Sequence, residues 1–232
     1  MYIKTVKTTR VFRVSKAGSS PDALRSRVVA AARESFLREG FVRVTMDEIA
    51  ASLRLSKATL YKLFAGKEDL LRAVVRGFIR EVSAAVEQII RDETLGFIEK
   101  LAALSFLVSR RLSAIGPLLA RDIQQAVPGL WQEIEDFRRE KILANFRRLI
   151  GDGRREGVFR NDLDPDMALH IFVILVDELL NPEAMLRLGR PASEIFRTAV
   201  EFYFQGMLTE RGRREFAAKA PAVFAPRKEM IR

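Results

Sequence analysis

The sequence predicts an all-α chain: a small N-terminal three-helix unit followed by a larger C-terminal helical bundle. Three observations predict it. Apolar residues recur at three- and four-residue spacing along most of the chain, which is the helical period. No segment alternates with period two for more than a few residues. Gly, Pro and Asn punctuate the helical stretches at intervals longer than a typical strand and long enough for helices. With 232 residues, 48% of them hydrophobic, the chain is long enough to bury a real core.

Residues 1–20 hold Lys4, Lys7, Arg10, Arg13 and Lys16 and no acid, and their apolar residues follow no helical period. They are expected to form a flexible basic arm, with Arg10 and Arg13 its candidates for a minor-groove contact. Helical periodicity begins at Ser20, a cap residue, followed by Pro21 and Asp22, which suit a first turn. Leu24, Val28, Val29, Ala32, Phe36 and Leu37 then form one apolar stripe, and Gly40 is the stop. Phe41 and Val42 are expected to fold back onto that stripe.

Thr45-Met46-Asp47-Glu48 has the spacing of a capping box and opens a second helix, with Ile49, Ala50 and Leu53 on its apolar face. That helix must be short, because Ser56 caps the next, over 56–64. Gly66 breaks the third helix, and a long fourth begins near Lys67. Further helices are expected near 94–113, 117–126, 129–151, 165–180 and 192–209. Breaks fall at Gly116-Pro117, Pro128-Gly129, the glycines at 151–157 and Asn181-Pro182, and Asp164-Pro165-Asp166 starts a helix. The expected organisation is an arm (1–20), a helix-turn-helix unit (21–68), a helical bundle (69–210) and a fraying basic tail (211–232).

Charge is uneven. Residues 1–70 carry 14 Lys/Arg against 7 Asp/Glu (+7), and residues 71–232 carry 26 against 23 (+3). A basic end on a nearly neutral body suits a polyanion-binding module; the same charge would also serve solubility alone. There is no cysteine and one histidine, His170. That excludes disulfide scaffolds, zinc ribbons and thiol nucleophiles, and leaves no metal cluster to expect. No nucleophile–base pair or phosphate loop is present, so neither an enzyme nor a cofactor is expected. No apolar run reaches the roughly 18 residues of a membrane span, and a cytoplasmic protein is expected.

The informative segment is 45–67. A short helix, a three-residue turn, a second short helix and a long one make a helix-turn-helix. The second short helix presents Ser56, Lys57, Ala58, Thr59 and Lys62 outward. Small residues at its start let the backbone approach base edges in a major groove. Lys67 opens the next helix, where a contact to the DNA backbone is natural.

Gly40-Phe41, Val44-Thr45-Met46, Ile49-Ala50, the run from Leu55 to Tyr61, Phe64 and Lys67-Glu68-Asp69-Leu70-Leu71 resemble the N-terminal signature of the TetR family of bacterial transcriptional regulators. The match covers about residues 24–75. A weaker likeness is the run Gly153, Gly157, Phe159, Arg160, Asp162, Asp164-Pro165. The resemblance implies phosphate contacts by Thr45, Tyr61 and Lys67 and base or adjacent backbone contacts by Lys57, Ala58 and Thr59. Arg54 stands where the family usually has glycine, and Leu63 where it often has histidine. If Arg54 is left-handed, the non-glycine residue costs about 1 kcal/mol, part of which a phosphate contact would recover.

The resemblance also implies a ligand pocket in the C-terminal region, for which Phe106, Trp131, Phe137, His170 and Asp177 are the candidate residues. By helical spacing alone the aromatics are core, and His170 a satisfied core histidine. The 192–209 helix is apolar on nearly every face, so it needs a partner beyond its own domain. Ile171, Leu175, Phe196, Val200, Tyr203, Phe204 and Met207 are the expected homodimer contacts. Two-fold symmetry would match a palindromic operator on double-stranded DNA. The expected function is thus a sequence-specific regulator, a repressor by resemblance, retuned by a small-molecule effector. The alternatives are a non-specific architectural DNA binder and an enzyme using the helical domain.

Overall fold

A computed structural model describes residues 20–113, 115 and 117–224; the arm at 1–19, the glycine of the Gly116-Pro117 break and the final stretch of the tail, 225–232, lie outside them. The described residues form α1 (Pro21–Glu39), α2 (Met46–Ser52), α3 (Lys57–Leu63), α4 (Lys67–Arg91), α5 (Phe97–Ser113), α6 (Pro117–Ala126), α7 (Pro128–Arg155), α8 (Pro165–Leu179), α9 (Pro182–Leu188), α10 (Ala192–Met207) and α11 (Glu210–Phe224). No β-strand occurs among them; one isolated antiparallel bridge joins Phe159 to Leu208.

The caps are the ones the sequence announces. The Ser20 side chain accepts from Ala23 N, Thr45 and Ser56 cap α2 and α3, and Asp164 accepts from the Asp166 and Met167 amides. Each satisfies an amide that the first turn would otherwise leave open, worth about 1 kcal/mol.

Two apolar cores result. The N-terminal core joins Val28, Ala32 and Phe36 of α1 to Phe41, Ile49, Leu60, Phe64 and Leu70. The two seven-residue helices α2 and α3 have too little interior of their own. The sequence assigns the missing surface to α1 and α4; Leu119 and Ile123 of α6 and Leu130 of α7 also enter it. Phe41 folds back as expected and meets Phe36 edge-on at 5.5 Å. Val42 does not: it is 60% exposed.

The C-terminal core is built on Phe97, Ile98 and Leu101 of α5, Phe146 and Ile150 of α7, Phe172 and Val176 of α8, and Phe196, Val200 and Phe204 of α10. Phe146 stacks on Phe172 at 4.5 Å, and Tyr203 and Phe204 pack against the same rings. Helix α7 runs from one core to the other, and α4, rooted in the N-terminal core, packs against α5. The inward stripe of α7 (Leu130, Ile134, Ile142, Phe146) is interrupted between the cores by Arg138, which pairs with Asp177 of α8 at 2.9 Å.

Three elements differ from the sequence reading. Helix α7 continues through Gly151 and Gly153 to Arg155. Gly153 is there for space: a Cβ would lie 2.6 Å from the Phe159 ring and 2.8 Å from Phe97. A short helix, α9, follows the Asn181-Pro182 break, with Asn181 accepting from Glu183 N. The tail expected over 211–232 is helical as far as Phe224, because Phe216 is buried in the C-terminal core and Lys219 pairs with Glu99 at 3.4 Å.

Gly151 and Gly153 of α7 give a paired test. Gly153→Ala should lower stability by about 1–3 kcal/mol through overpacking. Gly151→Ala, which meets open space, should raise it by about 0.5–1 kcal/mol. Urea unfolding of both variants checks the pair.

Candidate nucleic-acid interface

The α2–turn–α3 segment is fixed locally before anything binds it. Thr45 N donates to Glu48 Oε2 at 2.8 Å, and Thr45 Oγ1 accepts from Glu48 N at 3.2 Å. The Thr45 hydroxyl also donates to Glu48 Oε2 at 2.8 Å, and the amide and hydroxyl together hold the Glu48 carboxyl below its usual range. Ser56 Oγ accepts from Thr59 N at 3.1 Å and lies 2.8 Å from Thr59 Oγ1. In the turn Arg54 adopts φ 55°, a left-handed conformation that an L side chain tolerates poorly. Its amide donates to Ala51 O, and the Leu55 amide to Ala50 O. Leu60 and Phe64 are buried beneath α3.

Thr45, Arg54, Ser56, Lys57, Ala58, Tyr61 and Lys62 are exposed, and Thr59 is half-buried. The segment therefore brings eight of the nine candidates to one surface unit. Their states differ. The Ser56 and Thr59 hydroxyls engage each other, so they shape the start of α3. Lys57 Nζ lies 2.5 Å from Asp47 Oδ2, a bond that raises the lysine above its ordinary value. Asp47 is not among the sequence candidates, although its place in the first turn of α2 puts a carboxylate beside the start of α3. Arg54 and Lys62 have no ion-pair partner among the described residues. Neither has Arg43, an exposed cation just before Thr45 that is also absent from the sequence candidates.

Lys67 departs from expectation. Its three ammonium hydrogens are matched by three carbonyls: Phe41 O at 3.0 Å, Val42 O at 3.1 Å and Val44 O at 3.0 Å. The nitrogen also lies 4.5 Å from the centre of the Phe41 ring. An ammonium so occupied has no donor left for a phosphate. Lys67 instead fastens the α1–α2 turn to the start of α4. Arg25 plays a similar part beneath α3. It donates to Leu63 O, at the end of that helix, and its guanidinium lies 4.1 Å from the Phe64 ring centre. No sequence spacing links residues 25 and 63, so this contact is not legible in the sequence.

Comparison with known proteins agrees with this geometry. Residues 28–74 match the family described as bacterial regulatory proteins, tetR family. The HTH-type transcriptional regulator NfxB of Pseudomonas aeruginosa is 30% identical over 151 residues, which cover 65% of this chain and 77% of that protein. The chain belongs to the TetR family. The HTH-type transcriptional regulator YvaF of Bacillus subtilis is 25% identical over 187 residues, covering 79% of this chain and 95% of that protein. A TetR-family regulator from Marinobacter aquaeolei has the same fold, with a TM-score of 0.68 at 18% identity, across 86% of this chain and 98% of that one. The protein is accordingly a TetR-family transcriptional regulator with a helix-turn-helix for DNA.

The five pocket candidates are not brought together. Phe106 lines an open groove with Arg110, Ser113 and Arg197, between the end of α5 and the start of α10. Trp131 packs against the N-terminal core and donates to Glu135 Oε1 at 2.8 Å. Phe137 lies beneath Lys141 Nζ at 5.7 Å. Asp177 is taken by Arg138 and Arg139. His170 is exposed, not a core histidine, because it shares the outer face of α8 with Met167, Ile171 and Ile174.

The expected dimer contacts also divide. Phe196, Val200, Phe204 and Met207 are buried in their own core, Tyr203 donates to Ala168 O, and Leu175 is half-buried. Burial pushes the Tyr203 hydroxyl up to about 12. Of the seven, Ile171 alone is exposed. Helical period does not say which face of α10 its own domain takes, and the outer face carries Arg197, Thr198, Glu201 and Gln205 beside Phe202. On α8 and α10 the exposed large apolar residues are Met167, Ile171, Ile174 and Phe202, the last 76% exposed.

Lys67→Met should weaken binding to a selected DNA site at least tenfold while leaving the slope of log affinity against log salt unchanged. A lost phosphate contact would instead lower that slope by about 0.9, so a salt titration separates the roles. Asp47→Asn releases Lys57 and should tighten non-specific DNA binding at low salt, read by fluorescence anisotropy. The Glu48 carboxyl is lower in the folded protein, so its stabilisation is full above the unfolded value near 4.5 and disappears as pH falls through the folded one. Thr45→Ala keeps the amide bond and loses only the hydroxyl's, so it should flatten that part of the acid-unfolding curve in part.

Proposed function

We propose that the protein is a homodimeric repressor that reads a palindromic operator with α3 and leaves it when a small-molecule effector binds among the C-terminal helices. The single observation that carries the reading is the exposed set on α2–turn–α3 (Thr45, Arg54, Lys57, Ala58, Tyr61 and Lys62) standing on a closed apolar core. Tyr61 and Lys62 reach for phosphate, and Lys57, Ala58 and Thr59 approach bases. The arm at 1–20 would add minor-groove contacts.

The functional division we assign is a reading unit at 21–68 and a regulatory unit at 69–210. Dimerisation through Met167, Ile171, Ile174 and Phe202 is supported by their being apolar and exposed on α8 and α10. Single exposed apolar residues are ordinary, but several on adjoining helices mark an interface. For the effector, the polar seam between the two cores is the favoured region. Arg138 Nε is shut off from solvent and has no acceptor among the described residues. A ligand oxygen would satisfy it, and buried donors of this kind are rarely left open. The reading assigns no catalysis, and its chromosomal partner puts the protein in the cytoplasm.

Selection of fragmented genomic DNA by the purified protein at near-physiological salt tests the reading. A short enriched palindrome is expected. Uniform recovery without a motif would favour an architectural binder instead.

A further inference from the structure

Asp122 lies on α6, and its side chain reaches the α1–α2 turn. Oδ2 accepts the Val42 backbone N–H at 3.1 Å. The residue is buried, and no cation pairs with it among the described residues. Gly40 makes the approach possible. It has φ +84°, and a Cβ built on it would lie 2.7 Å from Asp122 Oδ2 and 3.3 Å from Leu118. The carbonyl of the same Val42 is held by Lys67 Nζ at 3.1 Å. One residue is thus gripped on its N–H by a carboxylate from α6 and on its C=O by an ammonium from α4.

The grip lies three residues before Thr45, the cap that sets where α2 begins, and α2 carries α3. A buried carboxylate with one amide partner and no cation is a costly way to fasten a helix, since an apolar side chain would fill the space without losing its hydration. Packing is already supplied by the α6 neighbours Leu119 and Ile123. We propose that Asp122 is a positioning residue for DNA recognition: through Val42 it sets the placement of α2–α3 relative to the body, and hence the spacing between the two reading heads of the dimer. It touches no DNA. The inference rests on the operator-binding dimer described above.

The test uses the full chain, its selected operator, and operators whose half-sites are moved one base pair closer or further apart. Wild type is expected to bind the altered spacings at least tenfold more weakly. Asp122→Asn keeps an acceptor oxygen for Val42 and is expected to hold that ratio within threefold. Asp122→Leu is expected to melt at or above the wild-type temperature and yet to bind all three spacings within threefold of one another. Should the leucine variant not fold, Asp122→Ala is read by the same ratio. Retention of the wild-type ratio by the leucine or alanine variant overturns the proposal. So does a loss of the ratio that only accompanies a lower melting temperature, since general loosening would do the same. If wild type selects no operator at all, the regulator reading itself fails, and this inference with it.

Discussion

An ammonium group with three hydrogens meets three carbonyls of one turn, and the position of the reading helices depends on that match. Lys67 is the first residue of α4, so its backbone belongs to a helix that runs into the C-terminal bundle. Its side chain belongs to the turn that delivers the chain into α2. Helices α2 and α3 are seven residues each, too short to persist alone. Caps fix their ends, but caps do not orient a helix. Orientation comes from Leu60 and Phe64 below, from Arg25 at the end of α3, and from the turn that Lys67 holds. Charge-assisted hydrogen bonds are about twice as strong as neutral ones, and three on one atom leave the turn little freedom.

The same arrangement ties recognition to the rest of the molecule. The N-terminal core is completed by α6 and α7; α7 continues into the C-terminal core, and α4 packs against α5 of the C-terminal bundle. Movement of either helix therefore moves surface on which α2 and α3 rest. Glu81 of α4 pairs with Arg33 of α1 at 2.9 Å and with Arg111 of α5 at 3.4 Å, and Glu133 of α7 pairs with Arg76 of α4 at 3.5 Å and also with Arg72. These exposed pairs add little stability individually. Their value lies in register, since each one joins helices from different parts of the fold.

Local signals are legible in the sequence and long-range ones are not. Ser20, Thr45, Ser56 and Asp164 cap the helices they are expected to cap, because a cap needs only its own next three residues. The left-handed conformation at Arg54 follows from the turn in which it stands. Lys67 does not take the phosphate role expected of it, because its carbonyl partners lie 23 to 26 residues back, where no spacing rule reaches. The buried and exposed faces of α10 are exchanged for a related reason: a helix apolar on most sides does not say which side its neighbours take. Composition predicts a frayed tail, yet burial of Phe216 and the Lys219–Glu99 pair dock it. Within the candidate interface the exposed residues are legible, while the residues that hold them in place, Arg25, Asp47 and Asp122, are not.

The most direct test of the central constraint is amide hydrogen exchange on the DNA-free protein, wild type against Lys67→Met. If the ammonium holds the turn, protection should fall across residues 40–64, including the Leu55 and Phe64 amides, and remain unchanged in α8 and α10. Equal protection across 40–64 in both proteins would mean that the apolar core alone positions the reading helices, and the role given to Lys67 would be wrong.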